Sequence, residues 1–113
     1  MDDRLKKHFH LLKVLHTSSP KLRKAILKNV DKEAVRCIAE CCHNLLNGNI
    51  KVTDNQKRHL LRHKQALREL ASRKVNIHKK KEILNQKGGF LPALLTPLLA
   101  IAGSVLAEWV MRK

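Results

Sequence analysis

Seven histidines (His8, His10, His16, His43, His59, His63 and His78) and three cysteines (Cys37, Cys41 and Cys42) are the side chains of this chain best suited to chemistry near neutral pH. Imidazoles move protons, and thiolates attack electrophiles or bind zinc. Neither activity has its companions here. General acid–base work calls for a paired carboxylate, a glycine-rich phosphate loop or a nucleophile motif, and none accompanies the histidines. Cys37, Cys41, Cys42 and His43 crowd one stretch, but its period is that of a single helix. The wheel turns Cys42 inward, leaves Cys41 at the edge, and sends Cys37 and His43 toward the polar side. A structural zinc site needs ligands converging from two segments. Adjacent cysteines on one helix are poorly placed to pair, and an odd number leaves one over. The expectation is a small buried hydrophobe at Cys42, with no metal, no cofactor and no enzymatic activity. The first apolar run is broken by lysines and histidines, so no signal peptide is visible and the chain reads as intracellular and reduced.

What remains is electrostatic. The 113 residues carry a formal charge of +15, and residues 1–87 hold 22 Lys/Arg against 8 Asp/Glu. Such an excess favours polyanions, either nucleic acid or anionic lipid headgroups, and disfavours self-association. From Lys51 to Lys87 there are 12 Lys/Arg against three carboxylates, Asp54, Glu69 and Glu82. Lys57, Arg58, Arg62, Lys64, Arg68, Arg73, Lys74, Lys79, Lys80 and Lys81 are the candidate phosphate contacts in this stretch. Phe9 is the one aromatic residue in 1–87, which leaves little to stack on single-stranded bases. Sequence-independent contact with the phosphates of double-stranded DNA is the better match.

The elements that would carry these residues are helical throughout. Residues 2–16 place Leu5, His8, Phe9, Leu12, Leu15 and His16 on one face. Ser19 and Pro20 suit the N-cap and first position of a second helix to about Asn29, with Leu22, Ala25 and Ile26 inward. Asp31 caps a third, 32–47, whose stripe of Val35, Ile38, Ala39, Cys42, Leu45 and Leu46 is the most apolar of the body. Asn47-Gly48-Asn49 ends it, and Ile50-Lys51-Val52 forms a link that can dock on the core. Thr53 caps a fourth helix from 54 to about 73, with Leu60, Leu67, Leu70 and Ala71 inward and His63 among them. On that one rod Arg58, Arg62 and Arg73 share the opposite side. Asn76 caps a fifth, 77–86. No strand-period alternation of useful length occurs. The fold class expected is all-α: a small bundle of four to five short helices with an apolar helical tail at the C-terminus.

That tail begins at a glycine pair. Gly88–Ala107 runs for twenty residues without a charge. As one helix it would reach ~30 Å, the thickness of a bilayer's hydrocarbon core. Pro92 and Pro97 interrupt its first half, which suits a shallow or bent insertion. Trp109 beside Arg112 and Lys113 has the make-up of an interfacial anchor. The division expected is therefore a basic DNA-binding body, 1–87, and a joint with a membrane- or capsid-associated tail, 88–113. Phe90, Leu91, Leu94, Leu95, Leu98, Leu99, Ile101, Val105, Leu106 and Trp109 would make the attachment. Membrane insertion, docking to a capsid or partner, and burial in the bundle core are the three readings. Burial is the least expected, because a tail apolar all round needs covering on every side.

The joint Gly88-Gly89-Phe90-Leu91-Pro92-Ala93-Leu94-Leu95 behind a lysine-rich stretch resembles the end of the adenovirus core protein X precursor. Longer proteins of this type accompany the adenovirus-like mobile elements called polintons or adintoviruses. The Leu-Leu-Lys-Val-Leu-His start and the Pro-Lys-Leu-Arg-Lys-Ala-Ile-Leu stretch of the present body are similar to these. The specific match covers about residues 87–107. The resemblance implies a virion-core protein that binds and condenses double-stranded DNA, made in the host nucleus or cytoplasm. It also implies cutting after Gly89 by an adenovirus-type protease that prefers an aliphatic residue two places before the glycine pair, where this chain has Gln86. The alternative is a membrane-active entry or lysis factor whose basic body attracts anionic lipid.

Overall fold

A computed structural model describes residues 7–48 and 50–99. Six α-helices occur among the described residues: α1 (Phe9–Thr17), α2 (Pro20–Lys28), α3 (Lys32–Leu46), α4 (Asp54–Leu61), α5 (Lys64–Ala71) and α6 (Ile77–Lys87). A 3₁₀ turn, Gly88–Phe90, follows α6, and 91–99 are again helical. There is no strand among the described residues, so the fold is a small all-α bundle. Residues 2–6 of the expected first helix, together with Ile101, Val105, Leu106 and Trp109, lie outside the described residues.

The caps fall where the side chains dictate. Ser19 Oγ accepts from the Leu22 N–H, Asp31 Oδ1 from Ala34 at 2.8 Å, and Asn76 Oδ1 from Lys79 at 2.9 Å. Thr53 and Gln56 exchange hydrogen bonds as a capping box at the start of α4. Gly48 ends the third helix with φ +74°, a left-handed conformation that glycine adopts without strain.

α3 is the spine. Val35, Ile38 and Cys42 are fully buried, and α5 packs along it more closely than any other helix. Cys37 and Cys41 are buried as well, so the inward face is wider than the stripe predicted and Cys37 does not turn to the polar side. Ile50 docks in the core as expected and Val52 is half-buried. α2 is turned from its expected orientation: Leu27 and Arg23 are buried, whereas Leu22 is 51% exposed and Ala25 is also exposed. The cause is Arg23, whose Nε donates to the Leu15 carbonyl (3.1 Å) and Nη2 to that of Ser18 (3.0 Å). A cation at those carbonyls meets the negative end of α1, and that contact sets the facing of α2.

The expected fourth helix is two. Arg62 and His63 form a turn, with the His63 N–H bonded to the Leu60 carbonyl at 2.9 Å, before α5 restarts. No glycine or proline marks this bend. It falls where the Phe90 ring lies against His63, centroids 5.8 Å apart, so a contact distant in sequence accompanies it.

The largest departure concerns the apolar segment. Phe90, Leu91, Leu94, Leu95 and Leu98 are completely buried and belong to the same core cluster as α1 to α6. They are five of the 12 largest fully buried side chains, so the bundle has no complete core without them. The segment is one-sided: Thr96 is exposed, and Pro92, Ala93 and Leu99 are half-buried. Pro92 sits in the first helical turn, where its missing N–H costs nothing. The Thr96 hydroxyl donates to the Pro92 carbonyl (2.8 Å), so the His16 Nε2 at 2.9 Å donates to Thr96 and ties the segment to α1. The expectation that this segment stands apart from the body, with the division at the glycine pair, is corrected on this point.

Candidate nucleic-acid interface

The ten cations expected to meet phosphate come from four places. Lys57 and Arg58 stand on α4, Arg62 at the bend, Lys64 and Arg68 on α5, and Arg73 and Lys74 in the 72–76 loop. All seven are exposed. Lys79 is exposed on α6, while Lys80 and Lys81 are half-buried there. Because the rod is broken at Arg62-His63, Arg58, Arg62 and Arg73 no longer share one straight helix side. The structure gathers other groupings instead.

Lys57 and Lys64 flank a hollow of about 480 Å³ with a mostly leucine floor that includes Leu45, Leu60 and Leu67. Arg62 and Lys87 meet at a second hollow of about 400 Å³, beside His63 and Gly89. Arg73 and Lys80 converge on a third of about 400 Å³, where α3 contributes Arg36, Glu40 and His43. Arg36 and His43 line this hollow and were not among the candidates named from sequence. A signal existed: residues 36, 40 and 43 recur at i, i+4 and i+7 and therefore share one edge of α3.

Local pairing modulates these charges. Arg36 binds Glu33 at 2.7 Å and Lys79 approaches Glu82 at 3.7 Å, both pairs well exposed. Exposed pairs of this kind hold weakly. Burial lowers the Lys80 ammonium from its ordinary pKa, and the neighbouring Cys42 opposes that shift. The Asn47 amide donates to His43 Nε2 (2.9 Å), which leaves Nδ1 to carry the ring proton.

Two of the three cysteines are held as neutral thiols in this setting. A hydrogen bond with Cys37, followed by burial, pushes the Cys41 thiol far up, and burial pushes that of Cys42 up to about 12. Such thiols stay protonated at neutral pH and pack as small hydrophobes. Among the described residues no group of three or more His, Cys, Asp or Glu is placed to hold a metal ion, and no helix is long and apolar enough to cross a membrane.

The glycine pair is not the extended joint that a protease cleft takes. Gly88 has φ −66° and ψ 0°, and Gly88–Phe90 form a 3₁₀ turn continuous with α6. Gly88 is packed: a Cβ there would meet Leu27 Cδ1 at 3.0 Å, whereas Gly89 faces open space. Comparison with protein-family models, with curated proteins and with solved structures finds no match.

Proposed function

We infer that this chain is a non-enzymatic protein that holds double-stranded DNA through its phosphates without reading sequence, as a virion-core protein that condenses DNA does. The observation that carries the reading is the exposure of eight cations on α4, α5, α6 and the loops between them, in a chain of net charge +15. Flexible, solvated ammonium and guanidinium groups spread over several short helices suit a phosphate backbone, which offers charge at regular intervals and no sequence information. The resemblance at Gly88–Leu95 supports the viral setting. Phe90, Leu91, Leu94, Leu95 and Leu98 serve the fold in this reading, and no membrane or capsid contact is proposed for them.

Fluorescence anisotropy of the full chain with 20-bp duplexes of A·T-rich and G·C-rich sequence tests the inference. Affinity is expected to be alike for both, and log affinity to fall linearly with log salt, by roughly 0.9 per phosphate neutralised. The competing class is a lipid-directed protein. Tight binding to anionic liposomes with none to duplex would overturn the DNA reading in its favour, and duplex affinity indifferent to salt would overturn the phosphate-contact reading itself.

A further inference from the structure

The three hollows lined by these cations are not equivalent. In the one between α3, the 72–76 loop and α6, cations from three separate segments converge: Arg36, Arg73 and Lys80. His43 adds a ring nitrogen, Glu40 is the single carboxylate lining it, and Ala39 and Ala71 are its small side chains. Small side chains on facing helices let a bulky group approach, while long cationic stems close over it. The hollow over α4 has only Lys57 and Lys64, balanced by Asp54, above an apolar floor. The hollow at the bend has Arg62 and Lys87 without a third cation.

We propose that the hollow bounded by Arg36, Arg73 and Lys80 is a built phosphate seat, the point at which this protein fixes one phosphate of a DNA backbone while its other cations contact neighbouring phosphates loosely. Convergence from three segments distinguishes a seat from a solvated face. The seat orients a bound oxyanion through planar guanidinium groups and an ammonium, and needs the tertiary fold to exist. Arg36 reaches it by leaving Glu33, an exposed pair that holds weakly. Lys80 is half-buried on α6, which fixes its stem at the rim of the hollow. The inference rests on the DNA-binding reading above and adds to it a position, a ligand class and two residues, Arg36 and His43.

Tripolyphosphate probes the seat without DNA, and a 20-bp duplex probes the reading. Three full-length chains are compared: the wild type, a seat variant (R36Q, R73Q, K80Q) and an equal-charge control on exposed α2 positions (K21Q, K24Q, K28Q). Tripolyphosphate is expected to raise the melting midpoint of wild type and control, with that rise lost in the seat variant. The salt slope of duplex affinity should fall by about 1 unit in the seat variant, the share of the one phosphate it fixes, and stay unchanged in the control. Arg73 is exposed in a loop, so Arg73→Glu is a second variant that leaves the core intact should the triple fold poorly. It should lose at least half of the tripolyphosphate response. Equal behaviour of seat variant and control in both assays overturns the seat while duplex binding stands. A tripolyphosphate response confined to the seat, without any duplex binding, overturns the DNA source and leaves a site for soluble polyphosphate.

Discussion

The segment 90–98 and the stretch 51–87 are opposite in composition and opposite in how tightly structure constrains them. The first has no charge and contributes five fully buried side chains to the core. The second carries 12 cations and keeps most of its named ones in water. From composition each suggests a partner outside the molecule, membrane for one and polyanion for the other. The fold treats them differently. Apolar surface is removed from water by whatever cover is nearest, and here the nearest cover is the bundle's own open side. Charged surface finds no such cover inside a small protein and stays available. An apolar run thus argues for an external partner only when the domain that carries it is already complete.

Removing the apolar segment is the most severe way to test that contrast. Residues 1–87 alone are expected to lose the cooperative thermal transition seen by circular dichroism. Cys37, Cys41 and Cys42, buried in the whole chain, should then alkylate rapidly at neutral pH. A sharp melt from 1–87 with unreactive thiols would restore the two-part division of the chain. In the full chain Leu94→Ala should cost ~2–5 kcal/mol, as Ile38→Ala in α3 should, since both side chains are fully buried. Chemical denaturation measures both, and a negligible cost at Leu94 alone would sink the single-core account.

One cation belongs with the core rather than with the surface. Arg23→Gln removes the charged bonds to the Leu15 and Ser18 carbonyls and should destabilise the chain by ~1.5–3 kcal/mol. Arg58→Gln, at an exposed site, should stay within about 0.5 kcal/mol. Urea titration of the two variants reads the difference directly. Equal costs would mean that the buried contacts of Arg23 carry no more weight than solvated charge.

The smallest expected difference between paired variants lies at the joint between the two regions. Gly88→Ala brings a Cβ to 3.0 Å from Leu27 Cδ1, itself buried, so the leucine must shift at a cost of ~1 kcal/mol or more. Gly89→Ala meets nothing and should be neutral or slightly stabilising, because alanine loses less backbone freedom on folding. Melting midpoints of the two variants should therefore separate with Gly88→Ala the lower. A reversed order would mean that the turn is not packed on α2.

Much of this was legible in the order of residues. The all-α class, the caps at Ser19, Asp31, Thr53 and Asn76, the end of α3 at Gly48 and the inward set of Val35, Ile38 and Cys42 follow from interactions that span three or four residues. Short-range hydrogen bonds and helical period are properties of a local segment, so the segment suffices to decide them. Three features required the whole molecule. The bend at Arg62-His63 has no local breaker and coincides with Phe90 against His63, 27 positions along the chain. The facing of α2 depends on Arg23 reaching the end of α1, a charge inside where charge is usually outside. The fate of Phe90 to Leu98 depends on how much core the preceding helices lack, which no window of sequence contains. Burial is a relation between segments, and so is the meeting of Arg36, Arg73 and Lys80 around one hollow. The chain decides which of its residues dislike water and which carry charge. Only packing decides which surface each of them covers and which cations end up side by side.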